Sequence, residues 1–162
     1  MGRQTHWVNN DNLKVGFGKM DTDNTEGATR RTVGMRNELT IDVHFDDMDL
    51  QAGVVPSSNE MPIPAGAAIL SATLRTEEDF LGGTSFIVGT KSLAGTAVAG
   101  TGLFIEVLLA EIDAAGKVVH GDGSLIGATV ATTVDSYISI SPTGTFTAGK
   151  ASVVIEYIIP DA

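Results

Sequence analysis

No cysteine occurs in the 162 residues, so neither a disulfide nor a thiolate metal site contributes, and thiol usage says nothing about the redox compartment. Basic residues are also scarce. Lys and Arg total 10 against 20 Asp and Glu, a net charge of −10, and no basic cluster is longer than Arg30-Arg31. Such a chain repels phosphate backbones and anionic lipid, which argues against nucleic acid and membrane as partners. Long apolar runs are missing as well: Leu103 to Ala110 is cut by Glu106 and falls short of a bilayer span. Met1 to His6 lacks the apolar core of a signal peptide, and His6 stands where a myristoylation signal calls for Ser or Thr. The expectation is a soluble, unprocessed chain.

What is present is apolar residues and glycine. With 43% hydrophobic residues, 19% charged and 19 glycines, the composition suits one turn-rich globular domain large enough to bury a core. The clearest signal is alternation. From Glu38, Leu39, Ile41, Val43 and Phe45 point one way while Thr40, Asp42, His44 and Asp46 point the other, a strand with one wet face. Asp46-Asp47-Met48-Asp49 ends it, and residues 51–66, with three prolines, form a loop. Next comes a strand with Ala68, Leu70, Ala72 and Leu74 on one face, broken at Gly82-Gly83 before a second strand with Phe86 and Val88; together they read as two strands of one half-buried sheet.

The period changes at Gly102 to Gly116. Leu103, Val107, Leu108 and Glu111 or Ile112 follow helical spacing and Gly116 sits where a C-terminal cap is expected, which predicts a short helix. A strand competes, because Phe104, Ile105 and Val107 all favour one. Strands are expected again at Leu125 to Val130 and Tyr137 to Ser141. A final hairpin follows: Thr143 to Thr147, a turn at Ala148-Gly149-Lys150, then Ala151 to Ile159 with Val153, Ile155, Tyr157 and Ile159 on one face. About eight strands without alternating helices predict an all-β antiparallel sandwich or jelly roll with one short helix. Residues 1–36 read as an N-terminal arm and 37–162 as the sandwich domain. The arm holds one short strand, Leu13 to Gly18, and has Trp7, Val8, Leu13 and Phe17 as its apolar anchors.

Reactive constellations are weak. His6, His44 and His120 share no ligand spacing, and His44 falls on a wet strand face, so a cupin-like metal enzyme is disfavoured. No Gly-x-Ser-x-Gly elbow is present. Asp21 to Gly27 resembles the opening of a calcium loop, but Thr25, Glu26 and Thr32 break the EF-hand pattern and a solvated acidic loop is the simpler reading. Asp46, Asp47 and Asp49 could hold calcium or merely end a strand. Glu77-Glu78-Asp79 could suggest acid–base work on sugars, yet strand neighbours face opposite ways and no aromatic platform is near. Gly16-Phe17-Gly18 is not continued into a phosphate loop. No catalytic residue, metal ligand or cofactor is assigned.

The order of segments does resemble a family. Asp11 to Gly18 (Asp-Asn-Leu-Lys-Val-Gly-Phe-Gly), Arg36 to Met48, Ile63 to Leu74 (Ile-Pro-Ala-Gly-Ala-Ala-Ile-Leu-Ser-Ala-Thr-Leu), the Leu/Ala-rich Gly102 to Gly127 and Gly144 to Tyr157 are similar to the capsid decoration (head-stabilising, cement) proteins of tailed bacteriophages. The likeness spans most of the chain and lies in turns and strand faces. It implies a β-sandwich body without catalytic residues, made in the host cytoplasm and carried on the virion. It further implies a trimer bound outside the major capsid protein shell and stabilising it. A tail-fibre module that binds a receptor or glycan is the alternative, and it would need exposed aromatics; the chain has 6%.

Overall fold

A computed structural model describes residues 36–48, 61–128 and 133–159 in full, and the backbone of three further strands. Those strands are β1 (Thr5–Val8), β2 (Lys14–Phe17) and β3 (Ala28–Val33). Then come β4 (Arg36–His44), a 3-10 turn at Phe45–Met48, β5 (Ala68–Gly82), β6 (Ser85–Lys91) and β7 (Ala97–Leu108). A one-turn helix α1 (Leu109–Ile112), β8 (Val118–His120), β9 (Tyr137–Thr143) and β10 (Phe146–Ile158) complete the chain.

All ladders are antiparallel, and they form a five-stranded sheet β3-β4-β10-β5-β8, a three-stranded sheet β7-β6-β9, and a separate β1-β2 pair. The all-β sandwich expected from the sequence is what forms. Leu39, Ile41 and Val43 of β4, Ala72 and Leu74 of β5 and Val153, Ile155 and Tyr157 of β10 pack in one buried cluster with Phe86, Val88, Phe104, Val107, Ile138 and Ile140 of the smaller sheet. Burying large apolar side chains at about 1.5–3 kcal/mol each is what joins the two layers.

Two of the crossings between layers are made at glycine. Gly82 (φ 75°) and Gly83 (φ 60°) carry the chain from β5 into β6, and Gly144 (φ 85°) carries it from β9 into β10. This corrects two expectations. β5 and β6 lie in different sheets, and the chain passes from one to the other through Gly82 and Gly83 at positive φ. The last turn is at Gly144, and Ala148-Gly149-Lys150 lies inside β10, where the pairing with β5 shifts register. At this junction Phe80, Phe86 and Phe146 form a triangle with ring centroids 5.9 Å apart, two of the pairs edge-on.

Bulges account for the remaining departures. Tyr157 pairs with Ile69 and Glu156 with Ser71, leaving Leu70 unpaired and 38% exposed while Ile69 turns into the core. On β7, Phe104 stands opposite Val88 and Val107 opposite Phe86, so Ile105 and Glu106 together face Ile87. The expected helix over Gly102 to Gly116 therefore shrinks to Leu109–Ile112, and its first half is bulged strand. Ile159 lies beyond the end of β10 and is exposed.

Leu125 to Val130 is not a ladder strand. Gly121 and Gly127 donate backbone hydrogen bonds to Ala72 and Ile69 of β5, and Gly123 and Leu125 to Leu103 and Gly102 of β7, at 2.8 to 3.0 Å. The segment stitches the two sheets together along one side; of the expected strand only Ile126 bridges to Ile69, and Val130 lies outside the described residues. β8 was not foreseen, being three residues long.

Candidate interaction surfaces

Among the described residues no cluster of three or more His, Asp and Glu side chains could hold a metal ion. The expected ambiguous residues have local partners. His44 Nδ1 lies 3.4 Å from Asp46, and its backbone N–H donates to Asp47 Oδ2 at 2.9 Å, so these aspartates fasten the 3-10 turn that follows β4. His120 is exposed on β8, while the His6 side chain, Asp49 and the loop Asp21 to Gly27 lie outside the described residues. Among the described residues no helix is long and apolar enough to cross a membrane.

Glu77, Glu78 and Asp79 do not alternate across the sheet. Thr76 pairs with Ala151 and Glu78 with Lys150, so Glu77 is the extra residue of a bulge, and all three acids are exposed between buried Thr76 and Phe80. Glu77 and Asp79 serve the fold. Glu77 accepts hydrogen bonds from Ser152 and from Lys150, the latter at 2.9 Å, and Asp79 accepts from the Ala115 backbone at 2.6 Å. The Ser152 hydroxyl first, and Lys150 next, hold the Glu77 carboxyl below its ordinary value of 4.5.

The outer face of the five-stranded sheet is laced with charge. Arg36 lies 3.7 Å from Glu156, which also accepts a 3.1 Å bond from Ser71, and Glu156 stands opposite Glu38. Lys150, Glu77 and Ser152 form the second group.

The outer face of the three-stranded sheet differs. Ile87 of β6 is half-buried at its centre, flanked on β7 by Ile105, 52% exposed, and Leu108, 47% exposed, and on β9 by exposed Ser141 and Thr143. Glu106 is exposed there, and Lys91 at the far end is buried. Above Ile87 the face is closed by its own backbone: a Cβ on Gly89 would meet the Ala99 carbonyl oxygen at 2.6 Å, where β7 swings out through Gly100 and Gly102. Asp122 Oδ1 caps the edge of β7 by accepting the Ile105 N–H at 2.9 Å.

Solved chains from phage capsids share this fold. One, from the acidic stable capsid structure of Helicobacter pylori bacteriophage KHP30, superposes with a TM-score of 0.54 at 15% identity, covering 83% of this chain and 94% of its own. Another, from the capsid of Ralstonia phage GP4, gives 0.52 at 14% identity over 84% and 92%. No protein-family model matches the chain, and no curated protein sequence does.

The anchors expected in the arm divide. Trp7 and Val8 lie on β1 and Phe17 on β2, paired Trp7 to Val15 and Thr5 to Phe17, whereas Leu13 and all four side chains lie outside the described residues. β3, also ahead of residue 37, is the edge strand of the five-stranded sheet, with Arg31 in register with Glu38. The Ile87, Ile105 and Leu108 face was not picked out from the sequence. Its signal was the pair of apolar doublets Leu103-Phe104 and Val107-Leu108, which fits a strand with one extra residue.

Proposed function

We propose that this chain is a non-enzymatic structural protein of a bacteriophage virion, which binds the outside of the major capsid protein shell as a trimer and stabilises it. The observation that carries the reading is the sandwich itself: its likeness to chains of two phage capsids runs over more than four fifths of this chain and nine tenths of each of theirs. The segments from Asp11 to Gly18 and from Gly144 to Tyr157, which resemble decoration proteins, support the same role. Both neighbours come from capsids, which favours the shell over a tail fibre.

The physical logic is multivalent. A three-fold body on a three-fold or quasi-three-fold position makes several weak contacts at once, and effective concentration turns them into firm attachment. A net charge of −10 keeps the chain from adhering to the packaged DNA. The residues ahead of β3, with Trp7, Val8, Leu13 and Phe17, form the arm that reaches a neighbouring subunit or the shell. Co-sedimentation of the purified chain with shells that lack it tests the role: saturable binding and a higher disruption temperature are expected, and shells unaffected by an excess of the chain would refute it.

A further inference from the structure

We infer that the outer face of the three-stranded sheet is the surface that meets the shell, and that what it receives there is an apolar segment flanked by lysine or arginine. The inference rests on the capsid reading above and names the chemistry of that contact. The centre of the face is apolar: Ile105 and Leu108 stand exposed on β7 beside half-buried Ile87 of β6. Its border is acidic. Glu106 is exposed beside Ile105, and at the edge of β7 Asp122 Oδ1 accepts the Ile105 N–H and Glu111 Oε2 the Leu108 N–H, each at 2.9 Å. Those bonds hold one carboxylate at each end of the apolar run and leave each a second oxygen for a cation.

Elsewhere on the molecule acids are matched by cations of the same chain: Glu156 by Arg36, Glu77 by Lys150 and Asp113 by Lys117. Among the described residues Glu106, Glu111 and Asp122 have no ion pair, because the cations lie elsewhere. Arg36, Arg75 and Lys150 belong to the other sheet, and Lys91 is buried at the far end of this one. An apolar centre bordered by unmatched carboxylates repels the same face of another copy and attracts a basic partner, which supplies both the missing counter-ions and the apolar cover.

The partner lies on the face and does not extend the sheet. Asp122 and Glu111 occupy outward N–H groups of β7, and Gly123, Ser124 and Leu125 donate to the carbonyls of Leu103, Thr101 and Gly102. This stretch of edge is therefore already filled, and what remains open is the side-chain surface of Ile87, Ile105 and Leu108.

The test is co-sedimentation, at low and high salt, of the full chain and three variants with shells that lack it. Ile105→Ser removes apolar surface, Glu106→Lys reverses a border charge, and Glu78→Lys makes the same charge change on β5 of the other sheet; all three positions are exposed, and circular dichroism checks the fold. Wild type and E78K are expected to bind alike and to weaken as salt rises. I105S and E106K are expected to bind at least about tenfold more weakly, E106K with a shallower salt dependence. Binding of I105S and E106K as tight as that of wild type would overturn the contact and leave the capsid role standing, whereas wild type that does not bind shells would overturn the role and the contact with it. Sedimentation velocity of the free chains completes the test. The variants are expected to keep the oligomeric state of the wild type, and its loss in both I105S and E106K would assign the face to a second copy and overturn the inference.

Discussion

The backbone of β10 at Gly149 packs directly on the ring of Phe80: a Cβ at that position would lie 2.7 Å from Cε1 and nearer still to Cγ and Cδ1. Gly149 also has φ 134°, in the region L side chains avoid. Gly149→Ala combines overpacking with backbone strain and is expected to cost about 2–4 kcal/mol in urea unfolding. In a double-mutant cycle, Phe80→Leu should recover part of that loss, and full additivity would show that the ring is not what the glycine accommodates.

Glu77 makes stability depend on pH in a defined direction. Its folded-state value is held below 4.5, so its contribution is present above 4.5 and disappears as pH falls through the lower folded value. With the side chain 36% exposed the effect is screened, about 1 kcal/mol or less. Glu77→Gln is expected to melt slightly lower than wild type at neutral pH, with the two melting temperatures converging below 4.5. A gap that widens in acid would reverse the assignment.

Thr76 and Thr90 are buried with no hydrogen-bond partner for Oγ1 among the described residues. Replacing either by Val keeps the shape and removes the stranded hydroxyl, so each variant is expected to gain about 1 kcal/mol. Chemical denaturation reads this directly, and a loss of similar size would mean that the hydroxyl is satisfied.

The Asp122 cap on Ile105 predicts a local effect. Asp122→Ala should speed amide exchange at Ile105 several-fold, with little change at Val153 in the centre of β10, and should cost about 1 kcal/mol. Uniformly faster exchange would show global destabilisation instead.

How legible the chain was depended on whether pairing stayed regular. β4 could be read almost to the residue because Leu39, Ile41 and Val43 alternate without interruption against β10. Where a bulge intervenes the period of two is broken, and the same residues suggest something else: Leu70 passes for a core residue, Glu77 to Asp79 for an alternating acid pair, and Leu103 to Leu108 for a helix. Glycine was seen as punctuation without its partner. Gly149 looks like a turn in sequence, but it lies within β10, where the ladder to β5 shifts register and the backbone packs on the ring of Phe80. The apolar outer face escaped notice because Ile87, Ile105 and Leu108 come together only through the β6–β7 register.

Deletion of residues 1–20 tests the arm. Truncated chain should keep the cooperative unfolding of the sandwich but bind shells at least about tenfold more weakly. Unchanged binding would remove the arm from the mechanism.

The central claim is that this sandwich works as a bound part of a phage shell, and imaging the particle tests it most directly. A cryo-electron microscopy map of the virion that carries this chain should show the five- and three-stranded layers seated in threes on the outer surface of the capsid. A map in which the sandwich lies inside the shell, on the tail alone or nowhere on the particle would contradict the account.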